Sequence, residues 1–338
     1  MTSKAGKISI LYLNRNVLHG GRFGLFARTP TNCAHMFGAR SYSSRPAESP
    51  HPARKKVTIN TIRKLYNDNE PITVLTAHDY PSASFVDKAG IDICLVGDSL
   101  AMVALGHEST SPVTMEEMLH HCRAVARGAK SPFMVADMPF GSYEGSISEA
   151  VNNAIRFIKD GKMEAVKLEG GTEMVETIRA ITRIGIPVLG HVGLTPQRQS
   201  SLGGYRVQGK TLEKAKKLIE DAKAIQEAGC FGMVLETIPE PVATHITKLL
   251  KIPTIGIGAG PGTSGQVLVQ LDMLGIFDRF APRFAKTYAN ANSVITDAIR
   301  TYHKEVKERK FPAKEHCYPM EDGELERFLN IVGSSDNE

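Results

Sequence analysis

Several protein classes are excluded by what the sequence lacks. The chain of 338 residues has only five cysteines, and no two of them form a C-x-x-C pair. This scarcity argues against a disulfide framework and a zinc cluster, and Cys94 and Cys230 are expected to be small core residues. No apolar run approaches the length of about 20 residues that a membrane-spanning helix needs, so we predict no membrane anchor.

Acidic residues are missing from the first 47 positions, which contain seven lysines and arginines. The remainder holds 34 basic and 36 acidic residues, so the net charge of +5 comes from this segment and gives no case for a nucleic-acid surface. An acid-free leader rich in Arg and Ser is typical of a transit peptide, and we predict a mitochondrial matrix address for residues 1–45. The alternative is a disordered basic tail. Residues 46–56, rich in Pro and Ser, are predicted to be a linker.

Short apolar runs alternate with segments of helical periodicity along the rest of the chain. The runs are continuous, as expected for strands buried on both faces of a parallel sheet. Seven such units favour an α/β fold, a single-domain (β/α)₈ TIM barrel, over a doubly wound sheet. The seven strands are predicted at 72–77, 93–98, 133–138, 165–170, 186–193, 232–237 and 253–258, and the faint eighth strand at MLGIF, 273–277.

The boundaries of the predicted barrel domain are residues 57 and 320. A short amphipathic helix is expected at 57–70, before the first strand, and a polar tail at 321–338 after the barrel. Several helical segments end in a glycine, which is the pattern of a helix C-cap: Gly90, Gly161, Gly185 and Gly229.

Polar side chains stand at or just past the ends of several predicted strands. In a TIM barrel these ends meet at one face, where the chemistry of such enzymes takes place. We therefore expect these residues to share one pocket, whereas an isolated strand-end acid would more simply cap a helix. They are Asp98, Asp137, Glu169, His191 and Glu236.

The types of these residues suit the enolisation of a 2-oxo acid. Asp98 and Asp137 offer the oxygen ligands that Mg²⁺ prefers, and Glu169 is expected to bind the ion directly or through water. Lys167 shares the inward parity of Glu169, and a buried ammonium needs an anion such as a substrate carboxylate. Glu236 is then free to act as a base that removes the proton next to the carbonyl.

Two motifs invite other interpretations. GYRVQGKT at 204–211 matches the phosphate loop of NTPases, but a polar loop rather than a buried strand precedes it. GPGTSG at 260–265 matches a dinucleotide-binding pattern, without the acid about 20 residues later that such a unit needs. We expect neither motif to bind a nucleotide.

Ten segments spread over roughly residues 57–320 form a recognisable set: TAHDYPSA, LVGDSLAMVALGHEST, VTMEEM, ADMPFGSY, VKLEGG, GHVGLTPQ, GGYRVQGKT, LETIP, IGIGAG and FPAKEH. Through these segments the sequence closely resembles the ketopantoate hydroxymethyltransferase family. As a set, LVGDSL, GLTPQ and GGYRVQG are highly specific for this family. GGYRVQGKT belongs to the family's own pattern, which explains its likeness to a phosphate loop.

The resemblance implies a (β/α)₈ barrel, Mg²⁺ and 5,10-methylenetetrahydrofolate as the one-carbon donor. It implies the metal ligands Asp98 and Asp137, a third acidic metal-site residue, Glu169, and a general base, Glu236. The keto-acid contacts that it implies are Asp98, Ser99, Asp137 and Lys167, with His191 as a pocket residue near the substrate. The residues that contact the folate stay unassigned. Members of the family are homo-oligomers, typically decamers.

Two alternatives remain open at this point. One is a Mg²⁺-dependent lyase or mutase of the phosphoenolpyruvate mutase and isocitrate lyase type, although the K-K-C-G-H-like loop of those enzymes does not occur in this sequence. The other is a catalytically silent barrel that acts as a binding protein, although the residues that such a barrel would have lost are present.

Overall fold

The computed structural model describes residues 54–277 and 282–335. The predicted transit peptide, residues 1–45, and most of the predicted linker lie outside these ranges. The described chain forms a closed barrel of eight parallel strands in sequential order, in which β8 pairs with β1. The predicted TIM barrel is therefore confirmed.

The strands are short, and the first seven lie where the apolar runs predict them. Their bounds are β1 Ile72–Thr76, β2 Ile93–Val96, β3 Phe133–Asp137, β4 Ala165–Glu169, β5 Val188–Gly193, β6 Gly232–Glu236, β7 Thr254–Ile257 and β8 Gly265–Leu268.

Helices connect the strands and extend beyond the barrel at both ends. Their bounds are α1 Ile59–Asn67, α2 Tyr80–Lys88, α3 Leu100–Val103, α4 Met115–Gly128, α5 Ile147–Lys159, α6 Val175–Arg183, α7 Gln199–Leu202, α8 Leu212–Glu227, α9 Glu240–Leu249, α10 Gln270–Met273, α11 Ala291–Lys307 and α12 Glu324–Ser335. Helix α1 is the helix expected before the first strand. Among the described helices, none is long and apolar enough to cross a membrane.

The alternation of side chains along each strand divides the core into two layers. Ala165 of β4 and Leu189 of β5 belong to the cluster inside the barrel, whereas Val166 and Leu168 belong to the cluster between strands and helices. Lys167 lies two residues after Ala165 on the same strand, so its side chain also points into the barrel. The same parity decides which strand-end residues can reach the interior.

The predicted position of the eighth strand is wrong. Residues 273–277 leave helix α10 and enter a turn in which Gly275 has a φ of +63°, and β8 is instead Gly265–Leu268. The strand begins on a glycine because a Cβ at Gly265 would lie 2.2 Å from the Ile72 carbonyl oxygen of the neighbouring strand. The absence of a side chain at Gly265 thus allows the two strands to pair.

The predicted helix caps are correct at three of the four glycines. All four glycines follow the end of a helix. Gly90, Gly185 and Gly229 have positive φ values there, whereas Gly161 does not, and Lys162 takes the left-handed conformation in its place. Gly161 lies against helix α5, where a Cβ would come within 2.7 Å of the Phe157 carbonyl oxygen.

Most of the segment predicted as a polar tail, residues 321–338, forms helix α12. Along α12 the side chains of Leu325, Phe328 and Leu329 are exposed. All of α11 is described, and none of its side chains is buried.

Candidate active site

The predicted site residues lie at the carboxyl ends of four consecutive strands and one earlier loop. Asp98 follows β2 after one glycine, and the others belong to the strands themselves: Asp137 to β3, Lys167 and Glu169 to β4, His191 to β5 and Glu236 to β6. Strand register aligns them in pairs, Asp137 with Lys167 and Glu169 with His191. Residues that are far apart in the sequence therefore lie together in one cluster.

Asp98, Asp137 and Lys167 are in direct contact. The Asp98 backbone N–H donates to Asp137 Oδ2 at 3.0 Å, and Lys167 Nζ lies 2.7 Å from Asp137 Oδ1. All three residues are buried. Ser99 follows Asp98 and lines the same cavity.

Gln197 and Tyr143 hold this cluster in place. Gln197 Nε2 donates to Asp98 Oδ2 at 2.8 Å and to the Met138 carbonyl at 2.9 Å, and its backbone N–H donates to Glu169 Oε2 at 3.2 Å. The Tyr143 hydroxyl donates to Gln197 Oε1 at 2.6 Å. The prediction from sequence missed both residues, although each lies in a segment that carries the family resemblance, GHVGLTPQ or ADMPFGSY.

His191 lies between two carboxylates. Its Nδ1 is 3.6 Å from Glu169 Oε1 and its Nε2 is 3.3 Å from Glu236 Oε2, and neither pair is aligned as a hydrogen bond. Directly after Glu236, Thr237 has a φ of +49°, which is an outlier for a β-branched residue. Residues in such sparsely populated backbone conformations are concentrated at functional sites.

Burial and mutual repulsion raise the pKa values of the buried acids. Burial, and then the charge of Asp137, raise the pKa of Asp98 to about 7. Burial raises the pKa of Glu169 well above its usual value, with a further contribution from Asp98. Repulsion of this kind favours a bound cation between the carboxylates.

The pKa values of Lys167 and His191 are shifted in opposite directions. Burial alone would lower the pKa of Lys167, but the charges of Asp137, Asp98 and Glu169 raise it, so the ammonium stays protonated. Burial, and then the charge of Lys167, lower the pKa of His191. The imidazole is therefore neutral at pH 7.

The donor set fits a hard divalent cation. Asp98 and Asp137 place two carboxylates side by side, and Mg²⁺ is commonly held by one or two carboxylates together with substrate and water oxygens. Glu169 points its Oε2 at the Gln197 amide, so its role as a third ligand stays a prediction. Within residues 54–277 and 282–335, no three His, Cys, Asp or Glu side chains are arranged to hold a metal ion.

The floor of a cavity of about 630 Å³ is lined by five of these residues, the floor cluster: Asp98, Asp137, Lys167, His191 and Glu236. Above the floor the walls are largely apolar, and two of the wall residues, Tyr205 and Val207, come from the GGYRVQGKT segment. The residues shortly before this segment, Gln199–Leu202, form helix α7 rather than the strand that a phosphate loop requires. The segment is a wall of the pocket.

The sequence pattern of a known family, ketopantoate hydroxymethyltransferase, matches residues 56–314. The chain belongs to this family. A relative from Emericella nidulans named 3-methyl-2-oxobutanoate hydroxymethyltransferase is 54% identical over 307 residues, covering 90% of this chain and 87% of the relative. Another from Arabidopsis thaliana, 3-methyl-2-oxobutanoate hydroxymethyltransferase 1, mitochondrial, is 52% identical over 287 residues and covers 83% of each chain.

Solved structures of more distant proteins share the fold. Phosphonopyruvate hydrolase in complex with oxalate and Mg²⁺ is similar to this chain with a TM-score of 0.52 and 13% identity, covering 82% of this chain and 95% of that chain. At this identity the likeness shows the fold alone. It adds no support for the lyase alternative, whereas family membership rests on relatives more than half identical.

Proposed function

We propose that the chain transfers a hydroxymethyl group to 3-methyl-2-oxobutanoate, with 5,10-methylenetetrahydrofolate as the one-carbon donor. The reaction consumes water and gives 2-dehydropantoate and tetrahydrofolate, an early step towards pantothenate. The observation that carries this proposal is one cavity lined by Asp98, Asp137, Lys167 and Glu236, in a chain of the ketopantoate hydroxymethyltransferase family.

The floor of the cavity binds and orients the keto acid. The Lys167 ammonium pairs with the substrate carboxylate, because a buried cation needs an anion and Asp137 alone does not complete its hydrogen bonds. Ser99 donates a hydrogen bond to the keto-acid head. Gln197 keeps the Asp98 carboxylate in place through its 2.8 Å hydrogen bond.

Asp98 and Asp137 would hold Mg²⁺, with Glu169 as the third acidic residue of the metal site. The ion would supply Lewis-acid polarisation of the 2-oxo group, which makes the C3 proton more acidic. Glu169 is hydrogen-bonded to the Gln197 backbone, so it also fixes the loop that carries Gln197.

Glu236 removes the proton from C3 of the keto acid. It ends β6, two strands beyond Lys167, and its side chain is 15% exposed, compared with 1% for Glu169. The neutral His191 ring lies 3.3 Å from its Oε2 and keeps the carboxylate directed into the cavity. The carbon nucleophile formed at C3 then bonds to the methylene carbon of the donor, both bonds from that carbon to folate nitrogens break, and water supplies the hydroxyl group. The proton taken from C3 and the remaining proton of the water go to the two nitrogens, and tetrahydrofolate leaves.

The cellular setting follows the plant relatives, whose printed names place them in mitochondria. We propose a mitochondrial matrix location for this chain, which the acid-free leader supports. We also propose a homo-oligomer, a decamer by family resemblance. The exposed apolar side chains of α11 and α12, such as Ile299 and Phe328, support it, because a single chain leaves them uncovered.

An assay of product formation tests the proposed function. The full-length protein with Mg²⁺, 3-methyl-2-oxobutanoate and 5,10-methylenetetrahydrofolate is expected to form 2-dehydropantoate and tetrahydrofolate in equal amounts, followed by NMR. Product should disappear when any one component is omitted. Absence of product from the complete mixture would contradict the proposal.

The Asp98→Asn variant tests the metal assignment. We expect it to weaken Mg²⁺-dependent binding of the keto acid at least tenfold, measured by titration calorimetry, because the amide removes the charge that attracts the cation. Asp297→Asn, on the exposed surface of α11, is the matched control and should bind normally. If Asp98→Asn binds the keto acid normally in the presence of Mg²⁺, Asp98 is not a ligand of the metal.

A further inference from the structure

The cavity is larger than the keto acid requires. Its volume of about 630 Å³ lies within the range of pockets that hold drug-sized ligands, whereas 3-methyl-2-oxobutanoate has only five carbons. The floor cluster accounts for the keto acid. The remaining volume, bounded by β8, α10 and the segment after Gly204, is open to a second and larger substrate.

This upper part of the cavity has an apolar wall with few charges. Among the described residues that line it, the charged ones outside the floor cluster are Asp272 and Arg283. Their neighbours include the aromatic rings of Tyr205, Phe277 and Phe284. Such a surface suits a flat ring system with a polar edge.

Two hydrogen bonds hold the helix that carries Asp272. The Gln270 backbone N–H donates to Thr76 Oγ1 at the end of β1 at 2.9 Å, and Gln270 Nε2 donates to the Ser82 carbonyl at 3.1 Å. Helix α10 is therefore tied to the rim of the barrel beside β2, the strand that leads to Asp98. The position of Asp272 does not depend on a free loop.

Asp272 has no side-chain partner among the residues that the structure describes. It is half-buried, and it forms no hydrogen bond or ion pair with any residue of 54–277 or 282–335. Burial raises the pKa of its carboxyl group to about 6. A half-buried carboxylate without a protein donor takes its hydrogen bonds from water or from a ligand in the cavity.

The aromatic part of the wall is fixed by the barrel end. Gly258 follows β7 with a φ of +64°, and the position of its missing Cβ lies 2.7 Å from Cδ1 of Phe284. The Phe284 ring also packs against the cluster inside the barrel. Any side chain at position 258 would displace the ring, so the glycine preserves this surface of the pocket.

We infer that Asp272 anchors the pterin ring of the folate donor by accepting hydrogen bonds from its N3–H and 2-amino groups. These two donors are parallel, like those of a guanidinium group, and a carboxylate accepts such a pair with both oxygens. The ring lies against the aromatic wall. This inference rests on the proposed function and assigns the second substrate of the same cavity.

Binding measurements on Asp272→Asn test the inference. With the full-length protein and Mg²⁺, we expect the variant to bind tetrahydrofolate about 10- to 100-fold more weakly than the unmodified chain, since it loses hydrogen bonds to a charged group. The Kd for 3-methyl-2-oxobutanoate should change less than twofold. Asp297→Asn is the matched control, expected to leave both Kd values unchanged. Equal tetrahydrofolate affinity in Asp272→Asn and the unmodified chain would overturn the inference.

A ligand lacking the 2-amino group separates direct contact from an indirect structural effect. Tetrahydrofolate without this group should bind the unmodified chain at least tenfold more weakly, while Asp272→Asn should discriminate between the two ligands less than twofold. Equal discrimination by both proteins would overturn the assignment. If the unmodified chain binds the keto acid but no tetrahydrofolate, the proposed function itself fails, which distinguishes the two failures.

Discussion

Glu169 and Glu236 end strands β4 and β6, and their surroundings differ. Glu169 is almost fully buried and accepts the Gln197 backbone N–H, so its carboxylate is fixed and its pKa is raised by burial. Glu236 reaches the open cavity, and its Oε2 lies 3.3 Å from His191 Nε2. The environment of each glutamate therefore supports the proposed role of Glu236 as the base.

Glu236→Gln tests that role. The amide keeps the size of the side chain but cannot accept a proton, so we expect kcat to fall by a factor of about 10² to 10⁴. The Kd for the keto acid in the presence of Mg²⁺ should stay within threefold of the value for the unmodified chain.

The matched control is Glu220→Gln, an exposed position on α8 that should leave both quantities unchanged. Steady-state kinetics and titration calorimetry provide the two readouts. If kcat of Glu236→Gln stays within threefold of normal, Glu236 is not the base.

Asp272 gives a pH-dependent prediction about stability. Its pKa rises from 3.8 to about 6 on folding, so the folded chain holds this proton more tightly than the unfolded chain. The stability associated with the proton is complete below pH 3.8 and is lost as the pH rises through 6. An uncharged residue at this position avoids that loss.

We therefore expect Asp272→Asn, without ligands, to melt at a higher temperature than the unmodified chain at pH 8, with a smaller difference at pH 4. Thermal unfolding followed by circular dichroism at the two pH values checks it. The exposed variant Asp297→Asn should show no such dependence. A difference for Asp272→Asn that is the same at both pH values would contradict the assigned environment.

At the scale of the elements, Gly193 at the end of β5 controls the position of β6. It has a φ of +104°, and a Cβ there would lie 2.2 Å from the Glu236 carbonyl oxygen. The following residue, Leu194, donates its N–H to that same carbonyl at 2.8 Å. The contact between the two strand ends therefore positions the backbone of Glu236.

Gly193→Ala should disturb this contact, with loss of both stability and turnover. Gly185→Ala is a matched control, because Gly185 has a similar φ of +90° but no heavy atom within 4 Å of the added Cβ. We expect the control to lose about 1–2 kcal/mol from backbone strain and to keep its turnover. Urea unfolding and product formation measure the two effects. Normal turnover in Gly193→Ala would contradict the proposed positioning.

The sequence predicted the first seven strands because each is a continuous apolar run followed by a helical segment. The eighth could not be predicted in the same way. A run of four hydrophobic residues and a glycine at 273–277 does not distinguish a strand from a helix end, and the four residues of β8 begin on a glycine needed for contact with Ile72. The close approach of β8 to β1 exists only in the closed barrel. The local sequence pattern therefore gives no sign of it.

At the scale of the whole molecule, barrel closure explains which site residues could be predicted. Strand-end residues such as Asp98 and Glu236 follow from chain position alone, because all parallel strands end at one face. Gln197, Tyr143 and Asp272 lie in loops or in short helices, where position in the sequence does not indicate direction. Their contacts appear only once the loops above the barrel are placed.

Proton exchange at C3 of 3-methyl-2-oxobutanoate tests the central claim most directly, because it isolates enolisation by the barrel floor from the one-carbon transfer. The full-length protein is incubated with the keto acid in D₂O and Mg²⁺, with and without tetrahydrofolate, and loss of the C3 proton signal is followed by NMR. We predict exchange that requires Mg²⁺ and is abolished in Glu236→Gln. No exchange in either mixture, or equal exchange in Glu236→Gln, would contradict the account.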